Sequence, residues 1–260
     1  MFFLLLGMKQ LLAPALAAVL LLGAAPAPAQ TTFRLGLRGG ANRAQTTVAA
    51  TGNSSGSYPF SYSTDKAARY AWQAGVVLEA SRGNFAFQPA LVFSQKGERM
   101  NTSLSASGFA GNSTFQTATT NRYNWLEIPL NVVYTLHGDH GLQVFAGPYV
   151  ALGVGGRQRG STTAVSYYGP AYDPIPGLER PIDERISYGE GTNNRRLDVG
   201  VNLGVGYRQG PVQLQLGYGL GLRNLHQPAE TSTVDFAHEF GADAAYNRVA
   251  QLTGTYFFSL

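Results

Sequence analysis

The sequence predicts an all-β chain: an eight-stranded antiparallel up-and-down transmembrane β-barrel of the smallest size class. Three observations carry that expectation. Eight runs alternate apolar and polar residues with period two, the spacing of strands with one oily and one polar face. The connections between the runs alternate long and short in strict order. The polar face consists of amides, glycines and a few charges rather than the lysine and glutamate of a water-facing sheet.

The chain divides into residues 1–29, read as a secretory signal peptide, and residues 30–260, read as one barrel domain. MFFLLLGMKQLLAPALAAVLLLGAAPAPAQ has Lys9 as its only charge, an apolar stretch from residue 11 to about residue 25, and then Ala27-Pro28-Ala29. That is a basic start, a short hydrophobic segment and a small-x-small cleavage site. Met8 is an alternative start, since MKQLL is the more usual opening. Later residues offer no run of ~20 apolar residues that a membrane helix requires. Cysteine is absent, which excludes a disulfide framework and lipid attachment through cysteine. The formal charge is +4, and 18 basic against 15 acidic residues remain once Lys9 is removed. So mild and scattered a surplus excludes a nucleic-acid footprint.

The runs follow in order. FRLGLRGGANRA spans residues 33–44, RYAWQAGVVLEA 69–80 and FAFQPALVFSQKGE 85–98. YNWLEIPLNVVYTL spans 123–136 and LQVFAGPYVALGVGG 142–156. LDVGVNLGVGYR and VQLQLGYGLGLR flank Gln209-Gly210-Pro211 as a hairpin, and NRVAQLTGTYFFSL spans 247–260. Three connections are tight: Ser81-Arg82-Gly83-Asn84, residues 137–141, and Gln209-Gly210-Pro211. Four are long and polar: residues 45–68, 99–122, 157–196 and 224–246. An up-and-down meander therefore puts every short turn and both termini at one end and every long loop at the other. Outer-membrane barrels show this asymmetry, with periplasmic turns and extracellular loops, so the expected location is a Gram-negative outer membrane.

Parity sorts the side chains. One face carries Phe33, Leu35, Leu37, Trp72, Val76, Leu78, Phe85, Phe87, Leu126, Ile128, Leu130 and the aliphatics of the later runs. It has no charge along the middle of any strand, as lipid contact demands. Aromatics near strand ends, among them Phe33, Phe85, Tyr134, Tyr207, Tyr256 and Phe258, suit interfacial girdles. The opposite face carries Arg34, Arg38, Glu79, Glu127, Asn131, Asp198, Asn202 and Arg223, the expected polar and ion-pair network of the lumen. Glu79, Glu127 and Asp198 are expected to pair with Arg34, Arg38 and Arg223, because buried charge is tolerated when paired and hydrogen-bonded. A soluble lipocalin-like barrel is the inverse arrangement and would need a far more charged polar face. The inward glycines serve either to relieve crowding as the sheet closes or to leave a pore. Eight strands leave no aqueous channel, which favours the first.

Several segments resemble the PorT-like outer-membrane β-barrel family: RLGLRGGAN, NWLEIPLNVVYTL, VFAGPYVALGVGG, and LDVGVNLGVGYRQG with LQLGYGLGLRNL. In that family a Gly-rich first strand, a Tyr/Trp-Leu-Glu-Ile-Pro strand, a Gly-Pro-Tyr strand and a Tyr-Gly-Leu-x-Asn strand recur in this order. The resemblance covers most of residues 33–260 and implies an eight-stranded outer-membrane barrel. It also implies outer-membrane lipid and the barrel-assembly machinery as partners. The founding member is tied to secretion across the outer membrane, which points to a secretion or surface protein as a further partner. The chain departs from the usual aromatic ending: Leu260 closes it, two residues after Phe258.

The loops hold the few side chains suited to chemistry. His226 with Asp235, His238 and Glu239 of VDFAHEF has the donors for a metal or a catalytic base, but no nucleophile stands beside them. His137 and His140 belong to a solvated turn. No His-Glu-x-x-His, phosphate loop or nucleophile elbow occurs. No catalytic, metal or cofactor residue is assigned. The loop at 157–196 carries Tyr167, Tyr168 and Tyr172 among prolines, a candidate interaction surface. The expected role is non-enzymatic, structural or interactive at the cell envelope. A narrow channel and a lipid- or peptide-directed barrel enzyme are the alternatives.

Overall fold

The computed structural model describes residues 31–47, 50–54, 59–108, 111–167, 175–177, 179, 180–189, 191–192, 194–226 and 245–259. The proposed signal peptide, Tyr168, Tyr172, Asp235, His238, Glu239 and Leu260 lie outside them. Eleven strands occur among the described residues: β1 Thr32–Thr46, β2 Ala50–Ser54, β3 Phe60–Arg82, β4 Phe85–Gly108, β5 Gly111–His137, β6 His140–Tyr167, β7 Ile175–Pro176, β8 Arg180–Ile186, β9 Leu197–Gln209, β10 Val212–Gly221 and β11 Asn247–Ser259.

Eight of these close on themselves. Antiparallel pairing runs β3–β4–β5–β6–β9–β10–β11–β1, and β1 also pairs with β3, so the first strand has a neighbour on each side. In that closure Arg34 stands opposite both Ser259 and Glu79. The remaining three strands are additions at edges: β2 pairs with β3, and β7 and β8 pair with β6. Closure gives each of the eight ring strands a partner on both sides and so removes the ring's own open edges.

The three tight turns obey one rule. Strand pairing reaches Arg82↔Phe85, His137↔His140 and Gln209↔Val212, which leaves two residues in each loop. The first loop residue is Gly83, Gly138 or Gly210, at φ 59°, 70° and 56°. A primed two-residue turn needs positive φ there to match the twist of its strands.

At the other end the sequence expectation is corrected. Segments 45–68, 99–122 and 157–196, read as loops, are largely strand: β3 starts at Phe60, β4 runs to Gly108, β5 starts at Gly111 and β6 runs to Tyr167. Polar residues, chiefly Ser, Thr, Asn and Arg, dominate both faces here, so no sustained apolar period marks the strands. What holds them is backbone pairing plus cross-strand hydroxyl contacts: Thr64–Thr102 at 3.0 Å, Ser105–Thr114 at 3.0 Å and Thr117–Thr162 at 2.9 Å. The ring is therefore lopsided. β3–β6 have 23, 24, 27 and 28 residues, whereas β9, β10, β11 and β1 have 13, 10, 13 and 15.

The faces sort by parity. Outside, Leu35, Leu37, Ile128, Val144, Leu203, Val205, Leu214 and Leu216 are exposed in one continuous band. Phe85 packs on Tyr134 (ring centroids 5.0 Å) and Tyr256 on Phe258 (5.0 Å) at the short-turn rim. Inside, polar side chains are buried, interleaved with Phe145, Phe257, Trp125 and Tyr149. Inward glycines make room for these rings. A Cβ at Gly204 would fall 2.6 Å from the Phe145 ring, and one at Gly200 2.6 Å from the Tyr149 ring.

Candidate functional site: the lumen and its mouth

The lumen is built in tiers, each set by strand register. Nearest the short turns, Glu79 on β3 is wholly buried. It receives Arg208 Nη1 at 2.6 Å, Gln88 Nε2 at 2.7 Å and Arg34 Nη1 at 3.3 Å. Arg208 also donates to the Gly210 carbonyl at 2.9 Å and lies 4.7 Å from the centre of the Phe257 ring. Gln213, from the opposite wall, donates to Gln88 and accepts from it in turn. One carboxylate thus ties β3 to β1 and to β9 across the ring.

The middle tier holds Arg38, buried, donating to Thr255 Oγ1 at 3.1 Å and Gln215 Oε1 at 3.2 Å. Beside it Gln73 donates to Asn42 at 2.7 Å and Gln251 at 3.1 Å. Asn131 and Asn202 line a void of about 20 Å³ at this level, room for a single water.

In the third tier Lys96 is buried, 2.6 Å from Glu127 and 3.9 Å from Asp198. Asp198 accepts from the Tyr149 hydroxyl at 3.1 Å and from Asn247 at 2.7 Å. Lys96 sits over the Tyr149 ring, 5.1 Å from its centre, and near that of Trp125 at 5.8 Å. Above it the lumen widens into a mouth of about 280 Å³. Glu98 lies there, accepting from the Thr46 amide at 2.9 Å and standing 3.5 Å from Lys66. Trp125 and Tyr188 meet edge-on at 5.3 Å on its floor, with Tyr123 against them. Burial holds the Tyr188 hydroxyl well above its ordinary pKa.

The expected network is thus placed residue by residue. Arg34, Arg38, Glu79, Glu127, Asn131, Asp198 and Asn202 all line the interior. Only the Arg34–Glu79 pairing is the one expected. Arg38 reaches a hydroxyl and an amide instead of a carboxylate. Glu127 and Asp198 take Lys96. Arg223 lies past the end of β10, half-buried, with no ion pair among the described residues, because the strand stops at Gly221. Lys96, Glu98 and Arg208 were not among the expected residues although parity carried the signal: Lys96 and Glu98 share it with Gln88, and Arg208 with Asp198.

Tyr167 ends β6 with its side chain exposed. His226 forms an isolated bridge with Asn194 beside the mouth. Among the described residues no three His, Cys, Asp or Glu side chains are grouped to hold a metal ion.

A closed ring with an oily outside and an ion-paired inside inverts a soluble protein, and it defines a barrel whose solvent is lipid. The chain belongs to the outer membrane protein beta-barrel domain family, whose model matches residues 28–227. Its place is accordingly the outer membrane. No curated protein matches the chain. Among solved structures it is similar to the translocator domain of autotransporter NalP from Neisseria meningitidis, at 9% identity, covering 96% of this chain and 95% of that one. The TM-score of that pair is 0.22, and a likeness so low bears on neither fold nor function.

Proposed function

We propose that the protein spans the outer membrane as an eight-stranded barrel with a sealed lumen and works without catalysis, as a structural or partner-presenting element of the envelope. One observation carries this reading: a wholly buried Glu79, held at once by Arg34, Arg208 and Gln88, cross-ties the barrel at its narrow tier. Removing one member of such a buried pair costs about 3–5 kcal/mol, so the plug is a fixed part of the fold. Both ends of the ring's chain and all three two-residue turns share one rim, and we assign that rim to the periplasm and the long-strand rim to the cell exterior. The PorT-like segments support a partner among secretion or surface proteins. Barrel-assembly machinery would deliver the chain to the membrane.

Three experiments test this. Protein reconstituted in planar bilayers is expected to give no discrete single-channel current, and steady unitary conductance would overturn the sealed lumen. Protease added to intact cells is expected to cut within residues 99–122 and 157–196 while the turns at 82–85 and 137–141 survive. Cleavage confined to those turns would reverse the orientation. Lipid- or peptide-hydrolysing activity lost in His226→Ala would replace the non-catalytic reading with an enzymatic one.

A further inference from the structure

The outward face of the long strands carries a pattern that the lumen does not use. The last apolar row that spans the arc is Phe93–Leu126–Leu152, aligned by register across β4, β5 and β6, with Val154 exposed just beyond it at a register shift in β6. The next row is an amide pair, Gln95 donating to Asn124 at 3.1 Å. Beyond it Arg122, Arg157 and Arg185 stand directly opposite one another on β5, β6 and β8. One row further, Arg99 pairs with Thr120, which pairs with Arg159, which pairs with Asp183. All five arginines are exposed. Arg69, in the irregular stretch between Ala68 and Gln73, lies close enough to feel the charge of Arg99 and Arg122, and its Nη1 is buried without a partner.

Like charges set directly opposite on a sheet destabilise it. Against six arginines this face offers Asp183, which binds Arg157 and Arg159, and Asp65 one row further out beside Asn101. Arg99, Arg122 and Arg69 have no carboxylate among the described residues. Four residues separate Leu126 from Arg122, so the backbone of that row stands about 10 Å above the hydrocarbon edge, allowing for strand tilt. A long arginine side chain reaches several ångströms back toward the apolar band, which brings its guanidinium into the headgroup layer, roughly 5–8 Å thick. Guanidinium is the side chain best shaped to grip phosphate through two parallel hydrogen bonds.

We infer that this arginine face of β4, β5, β6 and β8 binds phosphate-bearing headgroups of anionic lipid in the leaflet at the long-strand rim. The occupant follows from charge complementarity and from continuity with the apolar band directly below, where the same lipid's chains would lie. The inference rests on the transmembrane reading of the exterior.

The test uses the full folded chain in nanodiscs of phosphatidylcholine containing a minority of phosphatidylglycerol, with retained lipid read by native mass spectrometry. Wild type is expected to retain phosphatidylglycerol in excess of its share, and the triple variant Arg99→Gln, Arg122→Gln, Arg157→Gln to lose that preference by roughly tenfold. Both should show the same heat-modifiable gel mobility, which separates lost binding from lost folding. A single Asp183→Asn exchange is expected to keep or strengthen the preference. Equal retention of both lipids by wild type, or an unchanged preference in the triple variant, overturns the inference. Displacement of the lipid by polyglutamate but not by inorganic phosphate overturns it in favour of an acidic protein partner. Failure to enter phosphatidylcholine bilayers at all sinks the transmembrane reading instead, so the two failures are distinct.

Discussion

The two halves of the ring solve different problems with the same backbone. In the short arc, β9, β10, β11 and β1 alternate aliphatic and polar residues from end to end and stop where the oily band stops. In the tall arc, β3–β6 carry the same alternation through the band and then continue as Ser/Thr-rich strands with no oily face. The difference separates two sources of sheet stability. Within the band, side chains are fixed by lipid on one face and by ion pairs on the other. Beyond it, a strand persists through pairing alone, helped by a hydroxyl contact every few residues and by β2, β7 and β8 laid along the edges.

The comparison is broken most severely where the arcs are tied together. Glu79→Ala leaves Arg34 and Arg208 without their carboxylate, and is expected to lower unfolding free energy by about 3–5 kcal/mol in urea titrations of vesicle-folded protein. Next comes a charge on the oily face. Leu214→Arg in the short arc should cost about 2–4 kcal/mol, whereas Gln116→Arg on the tall extension should cost under about 0.5 kcal/mol. Equal costs in the same titration would erase the distinction between arcs. A double-mutant cycle on Thr117 and Thr162 should give a coupling of about 0.2–1 kcal/mol, read as protease resistance of the β5–β6 extension.

The smallest effect concerns pH. The hydrogen bond from Arg157 holds the Asp183 carboxyl below the usual carboxylate range. A depressed folded-state pKa stabilises above the unfolded value and is lost as pH falls through the folded one. Acidification below the ordinary carboxylate range should therefore loosen β8 from β6, seen as faster amide exchange at residues 180–186. The pair is fully exposed, so the change should be slight and should vanish in Asp183→Asn.

The arcs also differ in how much of each the sequence discloses. Period two locates all eight ring strands and sorts their faces, because lipid and lumen select opposite chemistries at alternate positions. It fails at residues 99–108 and 111–122, where neither face meets hydrocarbon and both can be polar. The lumen was legible as a set and poorly legible as pairs. Which cation reaches Glu127 depends on register across three strands, and Lys96 wins because β4 carries it beside Glu127, while Arg38 sits a tier lower. Arg223 shared the inward parity, yet β10 ends before reaching it.

The double pairing of β1 has a kinetic meaning. Arg34 must find Ser259, 225 positions along the chain, before the sheet is whole, and until then the leading strand and β11 each present a bare rim of amides and carbonyls. Insertion is thus held open by its final event. Anything that shields that unfinished seam during transit decides whether the polypeptide matures or clumps.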